Sequence, residues 1–302
     1  MKIFKKTYII FILAAVFIFS SCSEPEKKSG GGLVITATLF PQYDFAKAIA
    51  GGKAEVTLLL PPGTESHSFD PKPGDILRIQ NADLFLYTGD DMEPWAKSIT
   101  ESINNDAVKI VDCSTNIELL DSGDHDHGAD PHIWLNPANA VKIVDTILDA
   151  MIEKDPENSA FYTENAENYK KKLEILDEDI EKSISGAKRN TIVFGGRFAY
   201  IYFLEHYNLG YITAYDSCAS NAEPSAARIA RVIDYINENS VPCIYYEELS
   251  DPKVARSIAE QTGIEYLQFS TAHNVTKEEF QNGTGFLEIM YENLENLKKG
   301  LN

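Results

Sequence analysis

The sequence predicts an α/β protein built from two Rossmann-like parallel-sheet lobes linked by a long rigid helix. Three observations lead there. Short β-rich runs alternate with helical stretches between residues 33 and 111. The alternation resumes between residues 191 and 297. Residues 137–186, between the two, are helical in pattern with little Gly or Pro inside. Strand–helix alternation is the mark of βαβ units, whose crossovers generate parallel sheets.

In chain order, residues 33–38 read as a strand and 42–50 as a helix stopped by Gly51 and Gly52. Residues 56–60 read as a strand stopped by Pro61 and Pro62, which cannot donate to a ladder. Residues 76–80 are helical, 84–87 extended, 95–104 helical and 108–111 extended. Two central helices follow over 137–153 and 156–184. In the second, Phe161, Tyr169, Leu173, Leu176 and Ile180 form a stripe at helical spacing. Its heptads are too few for a coiled coil. Beyond Gly186, residues 191–194, 211–214, 243–246 and 265–269 read as strands, and 198–207, 225–239, 252–262 and 285–297 as helices. The expected division is an N-terminal lobe over 33–136, linking helices over 137–186 and a C-terminal lobe over 187–302.

The N-terminus has another character. Lys2, Lys5 and Lys6 precede an apolar run over residues 8–19, short for a membrane span and right for the core of a signal peptide. Ser20 and Ser21 then precede Cys22, as at a bacterial lipoprotein processing site. Cleavage after residue 21 would leave a lipidated Cys22, and several acyl chains give a stable membrane anchor. Residues 22–32, ending in three glycines, read as a flexible tether. The mature chain is thus expected outside the cytoplasm, lipid-anchored to the cell membrane.

Acidic residues outnumber basic ones by 46 to 27, a net charge of −19 among 302 residues. That excludes a nucleic-acid partner, which needs Lys and Arg patches, and suits a protein that attracts cations. Besides Cys22 there are Cys113, Cys218 and Cys243, enough for at most one internal disulfide, and no CxxC pair occurs.

Ligands of open parallel sheets bind beyond the carboxyl ends of the strands. Five of the six histidines lie in loops at such ends: His67 in PPGTESHSFDP, His125 and His127 in DHDHGAD, His132 in DPHIWLNP and His273 in FSTAHN. Converging imidazoles are the usual means of holding zinc, copper or nickel, whereas oxygen ligands favour manganese, magnesium or calcium. His67, His132 and His273 are therefore the expected ligands of a metal ion in a cleft. His125 and His127 sit in a stretch too pliable to fix a geometry and read as a weak collector of metal. His206, on a helix, reads as a surface or packing residue.

These motifs, together with the DPENSAFYTENAENYKKKL and GFLEIMYENLENLK helices, resemble the zinc- and manganese-specific solute-binding proteins of ABC importers, over residues 33–301. The resemblance implies two lobes joined by a rigid helix, a metal ion between them and delivery to a membrane permease. His67 and His132 match the family's first two histidine ligands. Many relatives carry a further His or Glu after the strand at 191–194, where this chain has Gly195 in FGGRFAY. Many also carry an Asp after the last strand, where this chain has Phe269 and Ser270 with His273 close by. His273 is taken as the third ligand. The fourth is left open among water, Ser270, Glu223, Glu248 and Cys218, with Glu223 and Glu248 the more expected to orient a loop or a ligand.

The expected function is capture of Zn²⁺ and its delivery, by a monomer, to an ABC permease. Mn²⁺ is the alternative cargo. An extracellular metal-dependent hydrolase would use the same three-histidine zinc with an open position. Against it, the sequence has neither HExxH nor GxSxG, so no enzyme is expected. A surface adhesin is the remaining alternative.

Overall fold

The computed structural model describes residues 32–67, 69–103, 107–121, 128–215 and 223–302. The leader, Cys22, the tether up to residue 31, His125, His127 and Cys218 lie outside these residues.

Two four-stranded sheets are present, and every strand pair in both is parallel. The first holds β1 (Leu33–Ala37), β2 (Ala54–Leu58), β3 (Leu84–Tyr87) and β4 (Lys109–Asp112) in the order β2-β1-β3-β4. The second holds β5 (Thr191–Phe194), β6 (Gly210–Thr213), β7 (Cys243–Tyr246) and β8 (Glu265–Gln268) in the order β6-β5-β7-β8. The two orders are the same plan read twice. In the first lobe, α1 (Phe40–Ala50), α2 (Pro73–Gln80) and α3 (Pro94–Ser102) connect the strands; in the second, α6 (Ile201–His206), α7 (Ala226–Asn239) and α8 (Lys253–Thr262) do. The helices α4 (Pro137–Lys154) and α5 (Ser159–Ser185) run between the sheets in sequence, and α9 (Lys277–Asn282) and α10 (Phe286–Leu301) end the chain. Among the described residues no helix is long and apolar enough to cross a membrane.

Both faces of each sheet are covered, and the strands alternate accordingly. Leu84 and Leu86 join the large central core, while Phe85 between them packs outward with Leu59, Ile79 and Val108. Ile192 and Phe194 face the central core, while Val193 and Ile244 pack under α7 and α8 with Val232, Ile236 and Ala255. The central core runs without a break from Ile35 through α4 and α5 to Leu297, so apolar contact is continuous across both lobes.

At 27 residues, α5 extends about 40 Å. Its buried residues are Tyr162, Ala166, Tyr169, Leu173, Leu176 and Ile180, a four-three-four-three-four repeat. Phe161, which the sequence pattern placed in the stripe, is half-buried at its rim, because Tyr162 is the residue one helical turn before Ala166. Other boundaries move for local reasons. Pro41 starts α1 at Phe40, since its fixed φ suits the first helical turn. The expected helix at 198–207 shortens to α6 because Phe198 and Tyr200 leave helical geometry to pack against Phe194, Tyr200 stacking at 4.4 Å between ring centroids. The unexpected α9 begins with a capping box in which Thr276 Oγ1 accepts from Glu279 N–H and Glu279 Oε2 from Thr276 N–H. The Cys113 and Cys243 thiols are free and buried.

One polar junction ties three helices together. Asp44 of α1 accepts from the Tyr169 hydroxyl of α5 at 2.8 Å and from the Phe286 N–H at the start of α10 at 3.1 Å. Burial is the main cause that raises the Asp44 carboxyl above its ordinary value, against the lowering effect of those two donors. Asp44→Ala strands both donors and is expected to cost about 1–3 kcal/mol of stability, with Tyr169→Phe costing less, about 1 kcal/mol, in urea denaturation.

Candidate metal centre

The three histidines singled out by sequence converge. His67 follows β2, His132 follows β4 and His273 follows β8, so each is carried on the loop beyond an edge strand. One ligand atom from each lies within 4.8 Å of the others. The ring centroids are 4.6 Å apart for His132 and His273, 5.1 Å for His67 and His273, and 5.6 Å for His67 and His132. His132 is fully buried and the other two are half-buried. The sequence sets all three at strand ends as ligands of one ion, and the structure brings them to one place.

Local sequence explains each position. In DPHIWLNP, residues Ile133–Leu135 make one tight 3-10 turn, and Asn136 caps α4 by accepting from Ala138 N–H at 2.9 Å. Trp134, wholly buried, donates its indole N–H to the Thr271 carbonyl at 2.8 Å, joining the His132 segment to the His273 segment. Ala272 has φ of 56°, a left-handed conformation that turns the chain sharply just before His273. Asn274 then donates its amide to the carbonyls of Pro61 and Thr64 at 2.8 and 2.9 Å, and Gly63 N–H reaches the Val275 carbonyl at 2.7 Å. The last loop of the second lobe is therefore stitched to the His67 loop of the first.

Hydrogen bonds assign the tautomers. The Asp130 Oδ1 accepts from His132 Nδ1 at 2.9 Å. The Thr271 hydroxyl donates to Glu248 Oε1 at 2.6 Å and so accepts from His273 Nδ1. Both Nδ1 atoms carry a proton, so a bond to a metal ion would form through Nε2. Those two Nε2 atoms face each other at 2.6 Å. A contact this short is a hydrogen bond in which one ring keeps its Nε2 proton, a place that a metal cation would take. Zinc–imidazole bonds of about 2.0–2.1 Å put tetrahedral nitrogens roughly 3.3 Å apart, so binding needs a shift of only a few tenths of an ångström per ring. Burial would raise the Asp130 carboxyl, but His132 beside it wins and holds it below its ordinary value. Burial, then the neighbouring His132 and Arg197, push the His273 imidazole well below its ordinary value, which keeps it neutral.

The candidates for a fourth ligand separate in the structure. Glu248 lies 3.6 Å from His273 Nδ1 but gives its oxygens to Thr271, accepting the backbone N–H and the hydroxyl at 2.6 Å each. It orients His273 from the far side of the ring. Ser270 is clamped to Asn293 of α10 through its N–H and carbonyl, and its Oγ accepts from Ala272 N–H at 3.1 Å. Glu223 is exposed ahead of α7. Gly195 lies at the end of β5, and a Cβ there would meet Ile244 Cδ1 at 2.7 Å and Ala255 Cα at 2.8 Å. That position faces α8, so no side chain could reach the imidazoles from it. Against His67 and His273 lies a cavity of about 20 Å³, room for one water. His206, expected as a packing residue, meets Asp177 of α5 at 2.9 Å.

Sequence reading missed Asp130, Trp134, Thr271 and Asn274. Asp130 was within sight, two residues before His132, where an acid commonly orients a ligand. Trp134 and Asn274 act through backbone groups of distant segments and carry no local signal, while Thr271 works through its hydroxyl on His273, two residues on.

Two parallel sheets that aim three imidazoles from edge-strand loops at one buried point define a solute-binding protein whose site could hold a metal ion. The family described as "Zinc-uptake complex component A periplasmic" (ZnuA) matches residues 35–300, and the chain belongs to it. The chain is 33% identical to the high-affinity zinc uptake system protein ZnuA of Bacillus subtilis, over 99% of this chain and 98% of that one. It is 32% identical to the zinc-binding lipoprotein AdcA of Streptococcus pneumoniae, over 98% of this chain; it spans 60% of the length of that relative. The crystal structure of the Zn(II)-bound ZnuA-like domain of S. pneumoniae AdcA superposes with a TM-score of 0.79 at 32% identity, covering 90% of this chain and 99% of the domain.

Removing the groups that fix the tautomers should weaken metal binding without removing a ligand. Asp130→Ala and Thr271→Val are each expected to raise the Kd for Zn²⁺ roughly 10–100-fold in competition titrations with a chelating dye.

Proposed function

We propose that this protein captures Zn²⁺ outside the cytoplasm on His67, His132 and His273 and delivers it to the membrane permease of an ABC importer, without catalysing a reaction. The observation that carries the reading is the pair of facing Nε2 atoms of His132 and His273, with His67 at the third corner. Three neutral imidazoles form a donor set that suits zinc better than manganese. Asp130, Glu65, Glu247 and Glu248 surround them against the single guanidinium of Arg197, a net negative shell that favours a divalent cation. The fourth position is open to one water. Against the imidazoles themselves there is room for about one water, which suits an ion as cargo.

Residues 1–21 act as signal peptide and lipidated Cys22 with the tether up to residue 32 holds a monomer near its permease. The acidic His125–His127 segment feeds ions toward His132. The names of the relatives, which include a lipoprotein and a zinc uptake protein, support this placement.

Titration calorimetry of the chain from residue 33 is expected to show one tight Zn²⁺ site, with His132→Ala weakening it at least about 100-fold. A wild-type protein that binds no zinc would overturn the reading. Acid should release the ion, since protonated imidazole cannot ligate. Because His273 takes up its proton only well below the ordinary imidazole value, its own protonation adds to that release only at the acid end of a pH titration of Zn²⁺ binding.

A further inference from the structure

Two carboxylates border the small cavity beside the imidazoles yet are turned away from it. Glu247, at the end of β7, and Glu65, two residues before His67, both line that cavity together with Arg197. Arg197 holds both. Its Nε donates to Glu247 Oε1 at 3.1 Å and its backbone N–H to Glu247 Oε2 at 3.0 Å, so both oxygens of Glu247 are engaged. Its Nη1 lies 3.9 Å from Glu65 Oε1, which also accepts from His67 N–H at 3.1 Å. Glycine 196 makes this possible: a Cβ there would sit 1.9 Å from Glu247 Oε2 and 3.0 Å from Tyr246 Cα. The Gly196–Arg197 pair is thus shaped around a carboxylate. A guanidinium does not lose its proton in a protein, so the hold does not lapse with pH.

We propose that Arg197 is a specificity-determining residue: by sequestering Glu247 and Glu65, it keeps the donor set at three imidazoles and so disfavours Mn²⁺, whose binding calls for oxygen ligands. The inference rests on the three-histidine reading above. Were either carboxylate released, it would lie at the edge of the open fourth position and supply the hard oxygen that manganese prefers. Arg197 also places a positive charge beside the site, which counts against any divalent ion and falls hardest on one bound without strong nitrogen bonds.

The test compares Zn²⁺ and Mn²⁺ affinities of the full soluble chain and of Arg197→Met, Arg197→Lys and Gly196→Ala. Arg197→Met is expected to tighten Mn²⁺ at least roughly tenfold and to lower the zinc-over-manganese ratio by a similar factor, because ligand charge and oxygen count rise together. Gly196→Ala, which displaces Glu247, should move the ratio the same way but less. Arg197→Lys should restore the wild-type ratio, and adding Glu247→Gln to Arg197→Met should abolish the gain. The Co²⁺-loaded Arg197→Met protein should show a weaker, shifted visible band as an oxygen ligand joins. Equal weakening of both metals, or an unchanged ratio and Co²⁺ spectrum, would overturn the proposal. Should Arg197→Met not fold, Glu247→Gln alone decides: loss of one shell charge is expected to weaken Zn²⁺ by only a few-fold, and a loss of tenfold or more would make Glu247 a ligand and overturn the proposal. Failure of the wild-type chain to bind zinc would instead refute the three-histidine reading itself.

Discussion

The structure depends on holding three imidazoles in a cleft with the Nε2 atoms of two of them 2.6 Å apart. Left alone, that arrangement is unfavourable: burial opposes the charged form of each ring, and two Nε2 atoms at that distance need a proton or a cation between them. The surrounding residues offset the cost. Asp130 and the Thr271–Glu248 pair take the Nδ1 protons of His132 and His273 and leave each ring no other tautomer. A divalent cation could take the place between the rings, and the residues behind them set how well they are aimed at it.

Geometry of this kind requires the two lobes to stay in register. The ties are of two sorts. Near the ion, Trp134 and Asn274 join loops from opposite lobes through backbone carbonyls. Farther away, α5 and α10 share Asp44 with α1, and the apolar core passes through them without interruption. A continuous core resists the hinge opening seen where lobes meet only at a thin linker, because opening would expose packed apolar surface.

The carboxylates around the rings show how charge can be useful without coordination. A net negative shell draws a cation, whereas Arg197 keeps two of those charges from becoming ligands. Attraction and selectivity are thereby assigned to different groups. The glycine at residue 195 fits the same design: its Cα lies against α8, so the end of β5 delivers a backbone turn and a guanidinium in place of a metal ligand.

Much was legible in the sequence because it is local. Period-two and period-3.6 patterns fixed the strands and helices, and strand-end loops with histidines fixed the candidate ligands, since parallel sheets present ligands from those ends. Boundaries slipped where a side chain's tertiary contacts overrode propensity, as with Phe198 and Tyr200 pulled out of a helix into the core, or Tyr162 in place of Phe161 on the α5 stripe. The fourth position could not be read at all. Ser270, Glu223 and Glu248 are equal in composition, and only folding turns the first toward α10, leaves the second in solvent and sets the third behind His273. Which atoms meet is decided by contacts between residues as far apart in the chain as Pro61 and Asn274, and no local pattern encodes a hydrogen bond across that separation.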